Sequence, residues 1–116
     1  MQIENFLKLP LSNTDHCHDG IGTVGLVMFF KDADFATNVR FMNYMILPAG
    51  TSIGIHQHGN DEEFYIILEG KGRMIVDGET KDVEAGDVIV NKPYGSHGLE
   101  NNSDQAMRLL VIEVYK

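Results

Sequence analysis

Two histidines one residue apart, His56-Gln57-His58, are the first side chains whose types and spacing could do chemistry. On a strand successive side chains alternate between faces, so both imidazoles point the same way, one pleat apart. If that face is interior, the pair needs hydrogen-bond partners or a shared metal ion, because burying unpartnered polar groups is costly. Taken alone, so short a motif is better read as two exposed or hydrogen-bonded strand histidines than as a metal site. Glu63 follows after Gly59-Asn60-Asp61-Glu62 and opens the apolar run Phe64 to Leu68. A strand turning back beside the first would set Glu63 next to the histidines, sharing its face with Tyr65 and Ile67. Asp61 and Glu62 read as a solvated turn. On that reading Asp61→Ala should change neither metal content nor stability.

A second cluster, Asp15-His16-Cys17-His18-Asp19, packs several potential ligands together. Neighbours on an extended arm point in alternating directions, so Cys17 should face away from both histidines. The arm is expected to cover a pocket mouth or a neighbouring subunit, with His18 reaching the pocket as a polar contact, rather than to hold a second ion.

These side chains must be positioned by strands. From residue 21 onward, runs of six to ten residues rich in Val, Ile, Phe, Tyr and Met are separated by Gly, Asp, Asn or Pro, the pattern of many short strands joined by turns. Strands are expected over 23–30, 40–47, 52–57, 63–68, 72–76, 80–84, 88–91, 96–100 and 106–115. Asp77-Gly78 supplies a tight hairpin turn. Pro48-Ala49-Gly50, Gly86-Asp87 and Pro93-Tyr94-Gly95 mark other turns. Residues 1–20 read as an arm with one short strand or turn, and 31–38 as the one place for a helical turn. So many strands in 116 residues argue for an all-β closed barrel or jelly roll, which leaves few exposed edges. The length suits one domain spanning residues 1–116.

At this point a family resemblance becomes visible. Gly50-x5-His56-x-His58-x4-Glu63-x6-Gly70 resembles the first motif of the cupin superfamily at each spacing. Gly86, Pro93, Gly95, His97 and Asn101 resemble the second, with Pro93 and Gly95 each one residue later than usual. The likeness covers roughly residues 40–115. It implies a double-stranded β-helix, or jelly-roll barrel, with one divalent metal ion near a mouth, held by His56, His58, Glu63 and His97. Three neutral imidazoles and one carboxylate would leave one or two positions for water or substrate. Such donors suit Mn, Fe, Co, Ni, Cu or Zn and not Ca. Tyr65 and Leu99 project with the same parity as the ligands and should line the pocket; Glu62 and His18 are the candidates for a general base.

The function expected is a metal-dependent enzyme acting on a small molecule, of oxygenase, isomerase or lyase type. The alternative is a non-catalytic metal-containing protein that binds or senses a small molecule. With 17 acidic against 9 basic side chains the formal net charge is −8, and no basic patch stands out, so nucleic acid and anionic membranes are not expected partners. No apolar run is long enough to span a bilayer. The start lacks the features of a secretory signal, and the lone Cys17 cannot form an internal disulfide, so the cytoplasm is the expected compartment. The C-terminal run Met107 to Val114 looks apolar on both faces and suggests a homodimer contact.

Overall fold

A computed structural model describes residues 1–116. Ten strands appear in chain order: β1 (Ser12–Asp15), β2 (Thr23–Lys31), β3 (Val39–Leu47), β4 (Ser52–Gln57), β5 (Asp61–Glu69), β6 (Lys71–Val76), β7 (Glu79–Glu84), β8 (Val88–Asn91), β9 (Ser96–Glu100) and β10 (Met107–Tyr115). Short 3₁₀ turns occupy Cys17–Asp19 and Asp32–Asp34, the second within the stretch expected to turn. No helix is long and apolar enough to cross a membrane.

The strands form two sheets with antiparallel pairing. A six-stranded sheet runs β1-β2-β3-β10-β5-β8, and a four-stranded sheet runs β4-β9-β6-β7. The expected closed barrel is therefore corrected: the jelly roll is two facing sheets, not one continuous hydrogen-bonded cylinder. The turns carry the chain between them, as where β4 ends in one sheet and β5 begins in the other.

Alternation on the central strands explains where the core sits and why the site lies at one end. Met107, Leu109, Val111 and Glu113 of β10 point inward, as do Asp61, Glu63, Tyr65 and Ile67 of β5. The two strands run antiparallel, with Leu109 opposite Ile67 and Glu113 opposite Glu63. Apolar ends thus meet apolar ends, and acidic ends meet acidic ends. Leu47, Ile67, Leu99, Met107 and Leu109, each 1% exposed or less, fill the apolar half, and their removal from water supplies the main stabilisation. The other half is polar.

Asn101 ties the turn after β9 to this core. Only 1% exposed, it donates from Nδ2 to Leu47 O at 2.8 Å and to Gln105 O at 2.7 Å, while its Oδ1 accepts from Ser103.

The N-terminal arm packs firmly. Phe6 stacks on Tyr44 with ring centroids 4.5 Å apart, covering one end of the outer face of the larger sheet. Thr23 donates to Asp15 at 2.6 Å across the β1–β2 pair. The Cys17–Asp19 turn then folds against β4, with His16, His18 and Asp19 at φ of 50°, 50° and 61°. Left-handed backbone is unfavourable for side chains other than glycine, so packing must hold the turn in place. Gly54 shows how tight that packing is: a Cβ there would lie 2.0 Å from His18 O. Gly54→Ala should therefore displace the turn and cost about 1–3 kcal/mol. Urea denaturation checks this, and an unchanged midpoint would contradict the contact.

Candidate metal centre

Strands β4 and β9 pair with His56 opposite His97, so two imidazoles face one another across a ladder rung. His58 follows on the same face just past the end of β4. The three rings have centroids 4.4 Å (His56–His97), 4.6 Å (His58–His97) and 4.9 Å (His56–His58) apart. Glu63 comes from the opposite sheet. It reaches the histidines across the sandwich, not as a neighbouring strand, which corrects the expected hairpin pairing of β4 with β5. His97 Nε2 lies 3.0 Å from Glu63 Oε1, and His58 Nε2 lies 3.4 Å from the same oxygen. One donor atom from each of His56, His58, Glu63 and His97 falls within 4.8 Å of the others.

The outward nitrogens are fixed by partners. His56 Nδ1 donates to Gly54 O at 2.8 Å, and His58 Nδ1 donates to Asp61 Oδ2 at 2.6 Å. In each ring Nε2 is left as the lone-pair nitrogen facing the cluster, the tautomer that metal ligation requires. His58 Nε2 is buried and has no hydrogen-bond partner. Burial holds His56 down to about 4, with the neighbouring His18 and His97 adding to the effect, so this ring is neutral near pH 7. An orphaned buried imidazole nitrogen beside two further imidazoles and a carboxylate fits a divalent transition ion.

Asp61 is not part of a solvated turn. It is buried, and besides His58 it accepts from the Gly59 backbone at 3.0 Å. Burial pushes its carboxyl up, yet hydrogen bonds involving Glu113 and His58 outweigh this and hold it below the usual range. Glu113 sits beside it, 3.5 Å from His58 Nδ1 and 2.9 Å from Arg40. Burial pushes Glu113 up to about 7, with Asp61 and Glu63 acting in the same direction and Arg40 opposing them. Asp61 and Glu113 had a readable signal: both share the inward parity of buried neighbours on their strands.

The mouth of the site is a pocket of about 350 Å³ whose wall includes Arg40, Gln57, His58, Asp61 and Glu113. His18 stands at its edge, stacked on His56 with centroids 3.7 Å apart and planes 11° from parallel. Burial lowers the His18 pKa. The arm thus brings His18 to the pocket, while Asp15, His16, Cys17 and Asp19 form no ligand cluster. Tyr65 is buried behind the donors, its ring edge-on to His97 at 5.3 Å, and burial followed by the charge of Glu63 keeps its hydroxyl well above the ordinary pKa. Two expectations need correction. Leu99 is fully buried in the apolar core beside Ile53 and Met74 and lines neither the mouth nor the space behind it. Glu62 has the opposite parity to Glu63, lies on the outer face of β5 and does not line the mouth, so it is no candidate base.

These contacts reverse the expectation for Asp61. Asp61→Ala should lower metal affinity by about 10- to 100-fold by freeing the His58 ring, without removing any of the four donors. Titration of the variant with zinc under competition from a chelator checks this; wild-type affinity would show that Asp61 does not orient the ring.

Comparison with known proteins agrees with this geometry. The cupin domain family profile matches residues 43–113, a stretch that contains all four donors. An oxalate-binding protein of Thermotoga maritima is 30% identical over 93 residues, covering 80% of this chain and 77% of that protein. The crystal structure of a T. maritima protein described as a predicted oxalate decarboxylase superposes with a TM-score of 0.96 at 24% identity, over 99% of this chain and 100% of that one. The cupin domain of Schizosaccharomyces pombe Cnp3 superposes at 0.79 with 15% identity, over 97% and 72%. The chain is a member of the cupin domain family.

Proposed function

We propose that this protein holds one divalent transition ion at His56, His58, Glu63 and His97 and uses it as an enzyme of oxygenase, isomerase or lyase type on a small carboxylate-bearing molecule. The observation that carries the reading is the partnerless Nε2 of buried His58, aimed at the same point as three other donors beside an open mouth. The bound ion would supply Lewis acidity toward a carboxylate or carbonyl oxygen. The protein does the rest. Arg40 is the one Lys or Arg in the mouth wall and meets an incoming carboxylate. Asp61 and Gly54 O hold two imidazoles in register, and His18 shields His56 from water on one side. The printed name of the T. maritima relative favours a second reading, in which a small acid is bound and not converted.

The reading also includes a homodimer formed across the outer face of the larger sheet. Phe64, Ile66, Leu110 and Ile112 are only partly buried there, Val88 and Val90 are exposed, and Phe6 covers only the far end. A reducing cytoplasm would keep Cys17 a thiol.

Metal analysis of the purified protein, followed by loading with manganese, iron or zinc and addition of oxalate, tests the function. Wild-type protein should bind one ion per chain. At a hundredfold excess of ion over Kd it should gain about 2.7 kcal/mol of stability. His58→Ala should lose both. Product formation from the added acid supports the enzyme, whereas a thermal shift without product supports the binding protein. Retention of the ion by His58→Ala would remove that residue from the centre. Sedimentation at micromolar concentration checks the dimer, and a monomer there would refute it.

A further inference from the structure

Behind the donors the two sheets do not close at once. The inward rows of the larger sheet run Phe41–Glu113–Glu63 at the centre, then Asn43–Val111–Tyr65, then Met45–Leu109–Ile67 as the apolar floor. Successive rows lie roughly 7 Å apart along the strands. Around the middle row is a cavity of about 150 Å³, walled by Cys17, Asn43, Met45, Ile53, Tyr65 and Val111, with Glu63 and His18 at its top. In liquid water that volume would hold roughly five molecules. No Lys or Arg lines it. Asn43 is 7% exposed, and its buried Oδ1 has no partner.

We propose that this cavity is a second subsite, which takes a neutral, hydroxyl-bearing substituent of the same ligand whose carboxylate meets the ion. The proposal rests on the function proposed above and names its ligand class. A second carboxylate in the cavity would face Glu63 with no cation to pair with, and a purely apolar group would leave the Asn43 amide unmatched. A hydroxyl donates to that amide and packs against Met45, Ile53 and Val111. The row spacing calls for a substituent about two carbons long. Oxalate has none and leaves the cavity to water.

Three acids that differ only at their fourth carbon test this: 2-hydroxybutanoate, 2,4-dihydroxybutanoate and malate, with oxalate as the reference. Calorimetry on the manganese-loaded full chain should show the dihydroxy acid bound at least about ten-fold more tightly than malate and several-fold more tightly than 2-hydroxybutanoate. Asn43→Leu should abolish the preference over 2-hydroxybutanoate while leaving manganese content and oxalate affinity unchanged. The single thiol of the chain, Cys17, is a built-in reporter. Its alkylation by iodoacetamide should be slowed by the dihydroxy acid and not by oxalate. Malate binding as tightly as the dihydroxy acid, or an Asn43→Leu variant that weakens every acid equally, overturns the subsite. If Asn43→Leu does not fold, the wild-type series and the Cys17 protection decide. A chain that takes up none of manganese, iron and zinc defeats the function itself and the subsite with it. Oxalate binding without any preference among the three acids defeats the subsite alone.

Discussion

The arrangement depends on one constraint: polar side chains buried between two sheets must be answered by one another. Three imidazoles and three carboxylates, those of Asp61, Glu63 and Glu113, occupy the end of the sandwich where an apolar core would otherwise continue. Each unpaired group there would carry the full penalty of leaving water. Nearly every atom is therefore matched, Nδ1 of His56 to a carbonyl, Nδ1 of His58 to Asp61, Glu113 to Arg40. Among these imidazole and carboxylate atoms Nε2 of His58 is buried without a partner, as are Oδ1 of Asn43 and the amide of Asn91 on the neighbouring inward positions. A buried imidazole nitrogen left unmatched in such a network points to a missing partner.

The apolar half carries the opposite demand. Leu47, Ile67, Leu99, Met107 and Leu109 make the sandwich stable enough to hold a polar end, since an acidic cluster adds little stability of its own. The alternation of β5 and β10 lays both demands on the same strands. On the inward face β5 begins acidic and ends apolar while β10 begins apolar and ends acidic, and the antiparallel register aligns the two gradients.

That alternation is why the strands were legible. Every expected strand from residue 23 to 115 is present within two residues at either end, because period-two patterns and Gly or Pro turns are local signals. The partition into two sheets was not local. Nothing near His58 or Glu63 says that the intervening turn crosses from one sheet to the other, so the expected hairpin pairing failed although the convergence of the side chains did not. Leu99 failed for a related reason: parity gives the face, but not the depth along the sandwich. The Cys17–Asp19 turn was hidden because three left-handed residues there are sustained by contacts with β4, and local preference argues against them. Asp61 and Glu113 are readable from the same alternation. Glu113, a lone acid at an inward position of an otherwise apolar register, is the more informative of the two, because Asp61 stands in a charged run.

The crossing of Glu63 from one sheet to the histidines of the other has a kinetic consequence. Glu63 and His97 lie 34 residues apart in the chain, and their strands acquire a fixed separation only when the layers are stacked. The three imidazoles meet once β4 and β9 pair, but the four-donor set is complete only when the second layer brings Glu63 to them, after long-range loop closure. An ion that recognises only the finished set cannot act as a template for the chain. Bound there, it would act as a latch, resisting separation of the layers while leaving the ascent to the native state unaided.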